Sequence, residues 1–143
     1  MEVDRPSLYL AMALTLMGVE EGAVFAREIG AYFDNCDVKS LRASMLRRDY
    51  DPVTRSLLPR AIAQFYEESG FEASEEPDSL VAMFSFMAQL AREGVNLKIQ
   101  HRFLRAHLIP TLRYAVEICN GLEPFLEIIV EDANYLSHML THS

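Results

Sequence analysis

The residues best suited to chemistry fall in two places. Near the C-terminus, His138 and His142 stand one helical turn apart. Ahead of an apolar segment, Glu72, Glu75, Glu76 and Asp78 gather negative charge. Histidines four residues apart on a helix can share a metal ion, and Glu131, seven residues before His138, belongs to the same face. An exposed, frayed chain end is the preferred reading of the pair. Neither HExxH nor the ExxH pattern of carboxylate-bundle metal enzymes occurs, so no metal is expected. GxSxG, a Walker loop and GxGxxG are absent too. Cys36 paired with a distant histidine is a dyad that any chain with both residue types permits. No catalytic residue is assigned and no cofactor is expected.

The acidic cluster has two readings. Carboxylates ahead of a helix stabilise its N-terminus by about 0.3–1 kcal/mol each. Beside an apolar groove, the same carboxylates can hold a peptide with basic and hydrophobic parts. Seven methionines are present, and Met83 and Met87 come soon after the cluster. Methionine is flexible and polarisable, so it adapts to varied apolar ligands, although core filling explains most of the seven.

Helices must position these groups. Asp4 and Pro6 resemble a cap and first turn, opening a helix to about Met17, with Gly18 as its stop. Glu20 and Glu21 open a second helix, with Phe25, Ile29, Tyr32 and Phe33 at helical spacing. Residues 34–37 read as a turn, and a short basic helix is predicted from Val38 to about Tyr50. Asp51-Pro52 marks a boundary, and Pro59 should break or kink the chain beyond it. Arg60 to Ser69 is helical again, with Gly70 as cap. After a polar loop at 71–76, Pro77 opens the clearest helix. Leu80, Met83, Phe84, Met87 and Leu90 form one stripe, and Ala82 and Phe86 another, so this helix should be central. Gly94 ends it. Residues 96–119 form a long helical region interrupted near Pro110, with Leu97, Leu104, Leu108, Leu112 and Cys119 inward. Asn120-Gly121 stops it, and Glu123-Pro124 starts the last helix. No segment alternates with period two, and no repeat of solenoid length occurs. The expectation is one all-α domain over residues 1–143, a bundle of about six to eight helices.

Composition narrows the partners. Half of the 143 residues are hydrophobic and 24% are charged, so the chain can build a core. Lys plus Arg is 13 against 21 for Asp plus Glu, a formal charge of −8, which argues against nucleic acid. Basic spots at Arg42, Arg47 and Arg48, and at Lys98, Arg102 and Arg105, read as solvated helix faces. Cys36 and Cys119 are distant in sequence, which suits small buried thiols in a reducing compartment, with a disulfide between them left open. The apolar stretch 8–17 is too short to span a bilayer, so a cytoplasmic protein without stable membrane insertion is expected.

Residues 62–90, IAQFYEESGFEASEEPDSLVAMFSFMAQL, add a resemblance. They are similar to the TorD/DmsD/NarJ-like redox-enzyme maturation chaperones. There a tyrosine-and-glycine stretch leads to an E-P-D-H-L turn and an apolar helix of the form LxFMxxL. Here the turn is Glu76-Pro77-Asp78-Ser79-Leu80. Residues 103–110, FLRAHLIP, resemble the same family's FxxxHLxPW element. Ser79 replaces the usual histidine and Thr111 the frequent tryptophan. The resemblance implies a TorD-like helical bundle that is not an enzyme. It implies binding of the N-terminal signal peptide, often twin-arginine, or the apo form, of a molybdoenzyme catalytic subunit until cofactor insertion. By the same implication Glu76 and Asp78 are carboxylates for arginine, Pro77 and Ser79 shape the turn, His107 is a polar group near it, and Met83, Phe86 and Met87 line the apolar groove. A homodimer stays open. The competing readings are a helical protein–protein adaptor and a helical metal or carboxylate enzyme.

Overall fold

The computed structural model describes residues 4–34, 36–73 and 75–142. The architecture is all-helical and forms one domain: α1 Arg5–Leu16, α2 Glu20–Ile29, the short α3 Ala43–Leu46 and α4 Pro52–Arg55, α5 Leu58–Glu68, α6 Leu80–Glu93, α7 Leu97–Phe103, α8 Ile109–Ile118 and α9 Glu123–Thr141. Among the described residues there is no strand, only an isolated antiparallel bridge between Arg42 and Ser79.

Local signals explain most boundaries. The Asp4 carboxylate accepts from the Ser7 N–H at 2.9 Å and caps α1. A stop at Gly30, which has φ 77°, ends α2 earlier than the apolar spacing suggests. A residue with a Cβ is strained there, so the helix closes before Tyr32, which is 54% exposed. Gly22 answers a different need: α2 passes so close to α1 that a Cβ would overlap the Thr15 backbone. Pro59 does not kink a helix but sits in the first turn of α5, where its missing N–H has no consequence.

Two elements depart from the expected pattern. The helix predicted over Val38–Tyr50 is a single 3₁₀ turn, Val38–Ser40, and then the one-turn α3. Between them Arg42 is extended, at φ −129° and ψ 143°. The region 97–118 is also not a plain helix, because residues Leu104–Leu108 form a π turn. Pro110 has no N–H to offer the Ala106 carbonyl, and that carbonyl instead accepts from Arg47 Nη1 at 3.1 Å.

The core follows α6. Leu80, Met83, Phe84, Phe86, Met87 and Leu90 are all essentially inaccessible to solvent. Burial of each such side chain contributes about 1.5–3 kcal/mol. Phe84 meets Phe125 of α9 edge-on at 5.9 Å, and Phe86 meets Phe103 of α7 at 4.7 Å. A polar clamp fastens α1 across α9. Arg5 reaches both Asp132 oxygens, at 2.6 and 3.0 Å, and Gln100 Oε1 at 2.7 Å. The Tyr9 hydroxyl donates to Asp132 at 2.5 Å, and burial pushes that phenol well up. Gln100 in turn donates to the Leu90 and Val95 carbonyls, at 3.2 and 2.9 Å.

Cys36 and Cys119 are not separate thiols: they are joined as a disulfide, with Cα atoms 5.7 Å apart. The Tyr32 N–H bond to the Gly121 carbonyl, 3.0 Å, brings the two loops together. No single helix among the described residues is long and apolar enough to cross a membrane.

Candidate functional site

The turn expected at residues 76–80 is present and is held from three sides. Ser79 is the N-cap of α6, and its Oγ accepts from the Ala82 N–H at 3.0 Å. Serine is among the best N-cap residues, so Ser79 has a local structural use here. Tyr66 of α5 donates its hydroxyl to the Pro77 carbonyl at 2.6 Å. Burial, with the Asp78 charge adding, raises the Tyr66 phenol far above its usual range. The third hold is the extended Arg42. Its neighbours bracket the turn by backbone bonds, Ala43 N–H to Asp78 O at 2.9 Å and Leu80 N–H to Leu41 O at 3.0 Å.

Asp78 is fully buried. Its Oδ1 accepts from Arg42 Nε and Nη2 at 3.0 and 2.9 Å, and its Oδ2 from the Ser44 N–H at 2.8 Å. The carboxylate expected to meet a ligand's arginine is therefore already matched by an arginine of this chain. Removing one partner of such a buried pair strands the other and costs about 3–5 kcal/mol. Glu76, by contrast, is exposed and only touches Arg42 Nη2, at 3.4 Å.

Met83, Phe86 and Met87, expected as groove lining, point into the core instead. The remaining face of α6 carries buried Val81, half-buried Ser85, Ala88 and Gln89, and exposed Arg92, which recur at helical spacing. Three adjoining depressions run along this face. The first, about 290 Å³, lies between α6 and Pro6, Ser7 and Leu10 of α1, with Phe71 at its edge. The second, about 180 Å³, shares Phe71 and Ser85 with it and adds Met17, Glu72 and Glu75. The third, about 430 Å³, shares Glu75 and Val81 with the second and reaches Glu76, Ser79, Arg42, Lys39 and Val38. Together they make a groove with small residues on its floor. Its walls carry Leu10 and Met17, 50% and 53% exposed. An acidic lip, Glu72, Glu75 and Glu76, stands at the end nearest the start of α6.

The groove walls lie outside the residues expected from sequence, although a signal for them exists. Leu10 and Leu14 lie on one face of α1, and Met17, its C-cap, continues that face, so the helix is apolar beyond the face it buries. Arg42 and Arg47, expected on solvated faces, are both structural. The Arg47 side chain is only 4% exposed and forms a pair with Asp49, Nη2 to Oδ2 at 2.8 Å. Arg48 fits the surface reading and pairs with Glu117.

His107 sits in the aromatic core, edge-on to Phe65 at 5.4 Å. It makes no hydrogen bond to the turn, and its Nδ1 is buried without a partner, as is Thr111 Oγ1. Burial, and then the Arg47 charge, lower its pKa to about 4. His138 and His142 stack at 4.1 Å, and no group of three or more metal-ligating side chains occurs among the described residues. Compared with models of known protein families, the chain matches none.

Proposed function

We propose that this protein is an assembly chaperone that holds the N-terminal, twin-arginine-type leader, or the apo form, of a molybdenum-cofactor oxidoreductase subunit, without itself catalysing a reaction. The reading draws on the resemblance of residues 62–110 to redox-enzyme maturation chaperones. The observation that carries it is the groove along this remaining face of α6, because its acidic lip matches basic residues and its floor matches an apolar run. A leader's apolar segment lies over Val81, Ser85 and Ala88, between Leu10 and Phe71. Its paired arginines meet Glu72 and Glu75 rather than Asp78, whose charge Arg42 already neutralises, and Glu76, which shares Arg42 at 3.4 Å, completes the lip. Arginine–carboxylate contacts at this lip are bidentate in their favourable geometry, which selects arginine over lysine. Chemically the groove binds and shields; it offers no activated nucleophile.

A cytoplasmic setting belongs to the proposal. The Cys36–Cys119 disulfide bears directly on that setting, because a reducing cytoplasm favours separate thiols. The rival adaptor reading rests on the exposed apolar residues between α3 and α5: Met45, Val53 and Leu57 are 57%, 75% and 60% exposed. The two readings predict different ligands. Calorimetric titration with a leader peptide carrying paired arginines, against a peptide with both changed to glutamine, separates them. The chaperone reading expects the glutamine peptide to bind at least about tenfold more weakly. Equal binding of both peptides, or binding of neither, contradicts it.

A further inference from the structure

A cleft of about 500 Å³ opens between α7, the π turn and the last turn of α9, away from the leader groove. Its lining is Lys98, His101, Arg102, Arg105, Ala106 and Leu140. Four basic side chains thus share one hollow on a chain of net charge −8. Lys98, Arg102 and Arg105 are exposed and His101 is half-buried. The ion pairs of the described residues involve Arg5, Arg27, Arg42, Arg47 and Arg48, and none involves Lys98, Arg102 or Arg105. No carboxylate lines the cleft, despite the acidic surplus of the chain.

That arrangement works against the fold's own stability. Lys98 and Arg102 are four residues apart, and like charges at this spacing repel. A bound anion relieves the repulsion. We infer that the cleft binds a compact polyvalent anion of the phosphoryl class, held by Lys98, Arg102 and Arg105.

Several features select this ligand over an acidic protein segment. The cations span seven residues, about 10 Å along the helix axis, which two linked phosphoryl groups can bridge. Two guanidinium forks match phosphoryl oxygens in pairs. The lining offers no aromatic anchor, whereas protein interfaces concentrate their energy on such anchors. The inference is independent of the leader reading, because the two sites share no residue.

The test is calorimetric titration of the full chain with inorganic pyrophosphate at moderate salt, alongside an oligoaspartate peptide of matched charge and a nucleoside diphosphate. The variants are Arg102→Gln/Arg105→Gln and, as a control outside the cleft, Arg113→Gln. Circular dichroism shows whether each folds. Saturable one-to-one pyrophosphate binding, weakened roughly tenfold to a hundredfold in the double variant and unchanged in Arg113→Gln, supports the inference. Comparable binding of the nucleoside diphosphate assigns the recognised group to the diphosphate moiety; a loss of its binding assigns it to free pyrophosphate. No saturable binding, an equal response from all variants, or tighter binding of the peptide than of pyrophosphate overturns it. Should the double variant misfold, Lys98→Gln with Arg105→Lys replaces it, and an unchanged pyrophosphate affinity there counts against the site.

Discussion

Asp78 and the lip formed by Glu72, Glu75 and Glu76 lie within seven residues of one another, and their carboxylates have opposite roles. Asp78 is buried, receives an arginine and a backbone N–H of its own chain, and ties the turn to residues 42–44. The lip carboxylates face solvent at the edge of an apolar groove. A cluster of negative charge is thus two objects, one structural and one available. Burial divides them: a carboxylate taken out of water must be paired internally, and once paired it has little left for a ligand.

The strongest way to break this comparison is to remove the buried charge. Asp78→Ala leaves Arg42 with only its 3.4 Å contact to exposed Glu76 and the Ser44 N–H without an acceptor, and is expected to destabilise the fold by about 3 kcal/mol in urea unfolding. A loss below about 1 kcal/mol would place Asp78 with the lip.

Next is the pH response of the buried side, read at His107. Its pKa is about 4 in the fold, and about 6.5 in the unfolded chain. Between those values the unfolded state binds the extra proton, so this contribution is complete above pH 6.5 and is lost as pH falls toward 4. The size is on the order of 3 kcal/mol. His107→Leu should flatten the stability profile over that window, whereas changes at the lip should not. An identical profile in wild type and variant would refute the assignment.

A smaller effect belongs to the cap. Ser79→Ala is expected to lower stability by about 1 kcal/mol and Ser79→Asp by much less, measured by thermal unfolding. Equal losses would show that the hydroxyl is not the capping group.

The smallest expected effect on stability is the most informative for binding. Glu72→Gln/Glu75→Gln should leave stability within about 0.5 kcal/mol and still weaken leader binding about tenfold. A stability loss matching that of Asp78→Ala would erase the distinction between the two sets of carboxylates.

The helical class is legible in the sequence because its signals are local. Asp4 caps α1, Gly94 ends α6, and Asn120-Gly121 separates α8 from α9, each through nearest-neighbour backbone chemistry. The helix expected at 38–50 fails for the opposite reason. Arg42 is drawn into an extended conformation by a partner 36 residues away, which no local propensity encodes. The faces of α6 are ambiguous in the same sense. Periodicity shows a helix apolar on more than one side, but packing against α1 and α9 decides which side closes. Met83 and Met87 are therefore core, and the unremarkable Ser85 and Ala88 are groove floor. The motif at 76–80 is readable as a turn, and its internal salt bridge is not.

The most direct measurement is the affinity of a paired-arginine leader peptide for wild type and for Ala88→Arg, with unfolding free energy recorded for both. Ala88 is half-buried on the groove floor, so the variant is expected to remain folded with a stability loss within about 1–3 kcal/mol and to bind the leader about tenfold or more weakly. Unchanged affinity in a folded Ala88→Arg protein would contradict the claim that the groove along α6 holds the leader.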